Sequence, residues 1–303
     1  MLKQLRKTWL QHKKELPPSK ELAVYGDSFV DPNCSAVTSL TRSDLAEHYY
    51  ISAWSTQLVA HYSPEYTKSI RDYKAASRPH VYGRSGASNW YTYQRFLDTH
   101  HLYKRIVWVW TNKSRWPHLP KGLEGHNFNT TNMHTIIEKQ RPYQIDQPLV
   151  ELLEQCNGVY PLIFTDELLD FINAGIFLDV QQRCRSRGIA LVNITIDDDH
   201  TSAWPATDYP MLRGLNNVSW REQSGVDDQL MRDIINEQFL VEMRSCHLNA
   251  ANNRLLCQLV VNHLDQNSAC YRSLPDDYTW DWSVDPLVQE FYSNYKQLVS
   301  TSK

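Results

Sequence analysis

Leu22-Ala23-Val24-Tyr25 is a short apolar run that stops at Gly26-Asp27-Ser28. A run buried on both faces, ended by a glycine and two polar residues, is how a parallel strand delivers a side chain to the carboxyl edge of a sheet. The chain repeats the device. Arg105-Ile106-Val107-Trp108-Val109-Trp110 ends in Thr111-Asn112, and Ile189-Ala190-Leu191-Val192-Asn193-Ile194-Thr195-Ile196 runs into Asp197. His80-Val81-Tyr82 is a shorter run of the same kind. Between these lie stretches with helical spacing, over residues 51–62, 89–102 and 166–187, and a further one over 250–264. Strands alternating with helices predict βαβ units and a mostly parallel sheet, an α/β fold.

Helix boundaries are also marked. Ser88 or a neighbour is placed to cap the helix that starts at about 89, Gly188 to stop the one that ends at 187, and Asn249 to cap the one from 250. Residues 1–16 predict an amphipathic helix with Leu2, Leu5, Trp9 and Leu10 on one face, ended by Pro17-Pro18. Such a basic helix is expected to pack on its own domain or a partner rather than on a membrane. The stretch 113–165, rich in Pro, His, Asn and Gly, and the stretch 197–226, with Asp197-Asp198-Asp199-His200 and several Trp and Pro, predict irregular insertions. Further helices are expected at 227–241 and about 285–299.

A net charge of -3 argues against a general nucleic-acid binder, and no apolar run reaches the length of a membrane span. Met1-Leu2-Lys3-Gln4-Leu5-Arg6-Lys7 lacks a following apolar region, so a cytoplasmic protein is expected. The six cysteines form no C-x-x-C pair, which fits reduced thiols. Ten Trp and 17 Tyr are enough to fill core gaps and also to offer faces to a sugar ring.

A serine at a strand end becomes a nucleophile if a base and oxyanion donors serve it. Ser28 is the candidate nucleophile, and its own N–H is a candidate donor. Gly86, in Ser85-Gly86-Ala87 before a helix, offers a second donor. Asn112 offers a side-chain amide at the next strand end, and His247, on the loop before the helix from 250, is the candidate base. Each has a plainer alternative: a turn serine, a positive-φ glycine, a strand-end cap and a helix-flank histidine. Asp197-Asp198-Asp199-His200 has metal-ligand chemistry but fits a solvated acidic loop better. Arg84 and Arg115 flank two of the site loops, either as solvated charges or as anion holders.

These residues, in this order, resemble the SGNH (GDSL-type) hydrolase superfamily. Gly26-Asp27-Ser28 is similar to its first block, Ser85-Gly86-Ala87-Ser88 to the second, Thr111-Asn112 to the third, and His247-Leu248-Asn249 with Asn253-Arg254-Leu255 to the fourth. The resemblance spans about 22–265. It implies a three-layer α/β/α sandwich of flavodoxin-like type over 19–270, with an N-terminal helix at 1–18 and a tail at 271–303 that holds one helix. It also implies a serine esterase acting through an acyl-enzyme, without a cofactor, on a small-molecule or glycan ester with a short acyl group such as acetyl. Ser28 and His247 are the implied catalytic pair, and Ser28, Gly86 and Asn112 the implied oxyanion hole. The family usually carries Asp three residues before the histidine. Here that position is Arg244, and Glu242 is the candidate acid. The Asp that often follows the third-block Asn is Lys113. Arg115 near that Asn is similar to bacteriophage members, which implies a virion location as one setting. Two other readings stand beside the esterase: a non-catalytic binding or virion structural module, and a metal-dependent phosphoesterase using 197–200.

Overall fold

A computed structural model describes residues 20–27, 29–32, 53–64, 80–83, 87–115, 159, 162–196, 204, 206–215, 248, 250–266 and 271–273. In chain order the elements are β1 (Lys20–Gly26), α1 (Trp54–Tyr62), β2 (Val81–Gly83), α2 (Asn89–Thr99), a 3-10 turn (His100–Leu102), β3 (Tyr103–Trp110), α3 (Asp166–Arg187), β4 (Ala190–Thr195), β5 (Met211–Arg213), α4 (Ala250–Gln266) and β6 (Tyr271–Ser273). The six strands form one sheet in the order β2-β1-β3-β4-β5-β6, and all five pairings are parallel. The fold is α/β, as the alternating runs predict. Every strand therefore ends on the same edge. The order reverses between β1 and β3, the position where open α/β sheets leave a crevice.

Successive strand residues point to opposite faces, and each face has its own core. On one face Leu22, Val24, Val107, Val109, Val192 and Ile194 pack with Leu58 and Val59 of α1 and Leu256 and Val260 of α4. On the other, Ala23, Tyr25, Ile106, Trp108 and Trp110 pack with Phe96 of α2 and Ile176, Phe177 and Val180 of α3. The second face is aromatic. Tyr25 stacks on Tyr82 and Trp108, and Trp108 stacks on Trp110, with ring centroids 4.9, 5.7 and 4.6 Å apart. Among the described residues, no helix is long and apolar enough to cross a membrane.

Helix ends obey local chemistry. The Ser88 hydroxyl accepts from the Tyr91 N–H, and Thr165 does the same for Leu168 at the start of α3. Gly188 ends α3 with φ of 62°, a conformation that costs a side-chain-bearing residue about 1–2 kcal/mol. The first of these helices is shorter than its periodicity predicts. Its last turn, His100–Leu102, tightens to 3-10 geometry and feeds β3.

Two strands depart from the sequence reading. β5 lies inside the 197–226 stretch expected to be irregular, and β6 lies where only a tail is expected. Each is three residues long, too short for alternation to register. The ladder rather than side-chain pattern defines β5: Asn193 N–H donates to the Pro210 carbonyl at 2.9 Å, and Leu215 N–H to the Thr195 carbonyl at 3.0 Å. From the same stretch, Trp204 packs in the aromatic core, 5.0 Å from Trp110 and 4.7 Å from Phe177. Phe171, expected on the buried stripe of α3, is 77% exposed. The expected helices at 1–16, 227–241 and 285–299, and Asn249, lie outside the described residues, as does the 113–165 insertion apart from 113–115, 159 and 162–165.

His100 links the fold to pH. Burial pushes its imidazole down from 6.5 to about 4, despite a hydrogen bond from Nδ1 to the Phe96 carbonyl; Arg183, His101 and Arg187 push it the same way as burial. A depressed folded-state value means that the unfolded chain binds the proton first. Stability is then full above about 6.5 and is lost as pH falls toward 4. Urea melts between those values should show a falling midpoint in the wild type and a flatter profile in His100→Gln.

Candidate functional site

Gly26 and Gly83 are register partners at the ends of β1 and β2. A Cβ on Gly26 would lie 2.6 Å from Val30 Cγ2, and one on Gly83 would lie 2.7 Å from the Asp31 backbone nitrogen. The chain leaving β1 therefore folds back across both strand ends, which only glycine permits. Val30 N–H and Asp31 N–H both donate to the Asp27 carbonyl, at 3.1 and 3.2 Å.

The Asp27 carboxylate is fully buried inside this turn. Its Oδ1 accepts from the Phe29 N–H at 3.0 Å. Its Oδ2 accepts from the Thr111 hydroxyl at 2.8 Å and from Arg115 Nη1 at 2.7 Å. The same Nη1 donates to the Ala87 carbonyl at 2.8 Å. Three loops, those after β1, β2 and β3, thus meet at one ion pair. Arg115, weighed from the sequence chiefly as a solvated charge, keeps only 12% of its side chain exposed. The sequence marks Arg115 near Asn112 but not its partner, which lies 88 residues away.

A second polar set joins the end of β3 to the helices of the aromatic face. Asn89 Nδ2 donates to the Thr111 carbonyl at 3.0 Å and to Asn173 Oδ1 at 2.7 Å, and Asn89 Oδ1 accepts from the Thr111 N–H at 3.0 Å. Lys113 Nζ bonds both carboxylate oxygens of Asp170 on α3, at 2.7 and 2.9 Å. Asn112 lies between them. Its Oδ1 accepts from the Ser114 N–H at 2.8 Å and the Ser114 hydroxyl at 2.6 Å. The oxygen serves a local cap, so Nδ2 is the end able to donate to an anion.

Ser28, Gly86, His247 and Glu242 lie outside the described residues, as do Arg84, Arg244 and residues 197–200. The neighbours of Ser28 and His247 are described, and they are joined. The Phe29 carbonyl accepts from Trp54 Nε1 at 2.8 Å. Trp54 N–H donates to Asn253 Oδ1 at 2.9 Å, and Asn253 Nδ2 donates to the Leu248 carbonyl at 2.9 Å. Trp54 is 2% and Asn253 8% exposed, and Leu248 packs against the apolar core beside them. Ser55 adds a hydroxyl bond to the Val30 carbonyl at 2.7 Å. A relay of two buried side chains thus connects the residue after Ser28 to the residue after His247. Trp54 lies in the helical stretch 51–62, and its indole N–H is the part that matters here.

Among the described residues no group of three or more His, Cys, Asp or Glu side chains is arranged to hold a metal ion. Cys184 and Cys257 are buried, and burial pushes both thiols up, Cys257 to about 12, away from thiolate chemistry. Comparison of the chain with protein-family models, with curated proteins and with solved structures finds no match.

Asn253→Ala should leave the buried Trp54 N–H without its acceptor and the part-buried Leu248 carbonyl without this donor. A cost of about 3 kcal/mol is expected, at the order of one to two lost buried bonds. It is read as a lower urea midpoint at unchanged slope.

Proposed function

We propose that the chain is a serine esterase of the SGNH type, with a flavodoxin-like sandwich around its described sheet. The observation that carries this reading is the relay from Phe29 through Trp54 and Asn253 to Leu248. A nucleophile and its base must be held within hydrogen-bond reach although they are far apart in sequence. Phe29 follows the candidate nucleophile, Leu248 follows the candidate base, and hydrogen bonds through two buried side chains tie the two together. The strand order lends further support, since 2-1-3-4-5 is the flavodoxin-like order and the loops bearing Ser28 and Asn112 leave the strands on either side of its switch point.

In this reading Ser28 Oγ attacks the acyl carbon while His247 accepts its proton. The oxyanion is held by the N–H groups of Ser28 and Gly86 and by Asn112 Nδ2. His247 then protonates the departing alcohol, and water activated by the same imidazole releases the acid from Ser28. Glu242 orients His247. Short acyl esters, acetyl esters of carbohydrates among them, are the substrate class.

Turnover of p-nitrophenyl acetate by the full chain tests this. Wild type should hydrolyse it well above the uncatalysed rate. Ser28→Ala and His247→Ala should each lose about 10³-fold or more in kcat, on the scale of losing a catalytic triad member. Absence of turnover from folded wild type would favour the non-catalytic binding module instead. Activity that chelators abolish and Ser28→Ala leaves intact would favour a metal-dependent phosphoesterase.

A further inference from the structure

Arg115 sits at an unusual junction. One nitrogen, Nη1, donates to Asp27 Oδ2 at 2.7 Å and to the Ala87 carbonyl at 2.8 Å. Asp27 precedes Ser28, Ala87 follows Gly86, and Arg115 shares a turn with Asn112, whose carbonyl accepts its N–H at 3.3 Å. All three groups of the proposed oxyanion hole are therefore chain neighbours of this one contact. Asp27 has no exposure and the Arg115 side chain 12%, so water does little to screen the pair. The carboxylate is also held by Thr111 and by the Phe29 N–H, which limits its freedom to follow a displaced partner.

We propose that Arg115 is a positioning residue that acts through Asp27 and Ala87 to fix the three edge loops relative to one another. The proposal rests on the esterase reading for its catalytic consequence, but the loop coupling can be measured without it. A guanidinium is suited to the task because its N–H groups diverge in a fixed plane and can satisfy a carboxylate and a carbonyl together. A lysine ammonium supplies the charge on a more flexible stem. Loss of the guanidinium strands a buried carboxylate, so the effect should exceed that of losing one surface ion pair.

The experiment compares full-length wild type, Arg115→Lys, Arg115→Met and the double variant Asp27→Asn/Arg115→Met. Amide hydrogen exchange is followed in peptides covering 27–32, 84–90 and 111–116, with β4 and α3 as internal references. Arg115→Met should speed exchange by about tenfold in all three loop peptides together while the references hold. Arg115→Lys should restore part of the protection, and the double variant, which has no stranded charge, should be more stable than Arg115→Met. With p-nitrophenyl acetate, kcat should fall about 100-fold, the scale of a small misplacement of reacting groups, with KM within about twofold. Should Arg115→Met not fold, Arg115→Lys carries the same test with smaller changes at the same three loops. Faster exchange confined to 111–116 would overturn the proposal, as would an unchanged kcat in an active enzyme. A wild type without turnover would remove the esterase reading, and the exchange pattern would still decide whether Arg115 couples the loops.

Discussion

A carboxylate withdrawn from water needs both a counter-charge and donors for its lone pairs, and the buried Asp27 has both in the Arg115 guanidinium, the Thr111 hydroxyl and the Phe29 N–H. Breaking such a pair by removing one partner typically costs about 3–5 kcal/mol. That constraint reaches outward. It requires the β1 turn to lie against the end of β3, where a Cβ on Gly26 would press on Val30 and Val109. It also brings the Ala87 carbonyl to the same point, which sets where α2 begins. The carboxyl edge is thus organised by charge satisfaction, while the sheet beneath it is organised by apolar burial.

The two cores contribute differently to that edge. The aliphatic face, with α1 and α4, supplies the Trp54–Asn253 relay that joins the flanks of Ser28 and His247. The aromatic face, with α2 and α3, supplies Asn89, Asn173 and Asp170, which hold the end of β3. Substituting either face would disturb a different part of the proposed chemistry. In the proposed esterase the first would govern how Ser28 and His247 meet; the second holds the end of β3 that leads into Asn112.

Much of the frame was legible because its signals are local. α3 spans 166–187 and stops at Gly188 as read, the Thr165 cap being added by the structure, and β1, β3 and β4 hold the apolar runs. β5 and β6 were not legible, since three residues carry no period and their pairing depends on β4. Phe171 breaks the stripe of α3 because a helical pattern marks which positions share a face, not which of its members a neighbour covers. Of the site, Asn112 was visible at a strand end. The partners that organise it were not, because Asp27 meets Arg115 across 88 residues and Trp54 meets Asn253 across 199. Such pairings follow from topology, which a single sequence does not display. Asn253 was noticed only through its block, and the structure supplies its physical task.

The central claim is that the turn organised by Asp27 presents a reactive hydroxyl. The most direct measurement is reaction of the folded full chain with a fluorophosphonate, followed by peptide mapping of the adduct by mass spectrometry. One stoichiometric adduct is expected, on Ser28, lost when His247 is replaced by alanine. A folded chain that takes up no label, or takes it up at a different residue, would contradict the claim.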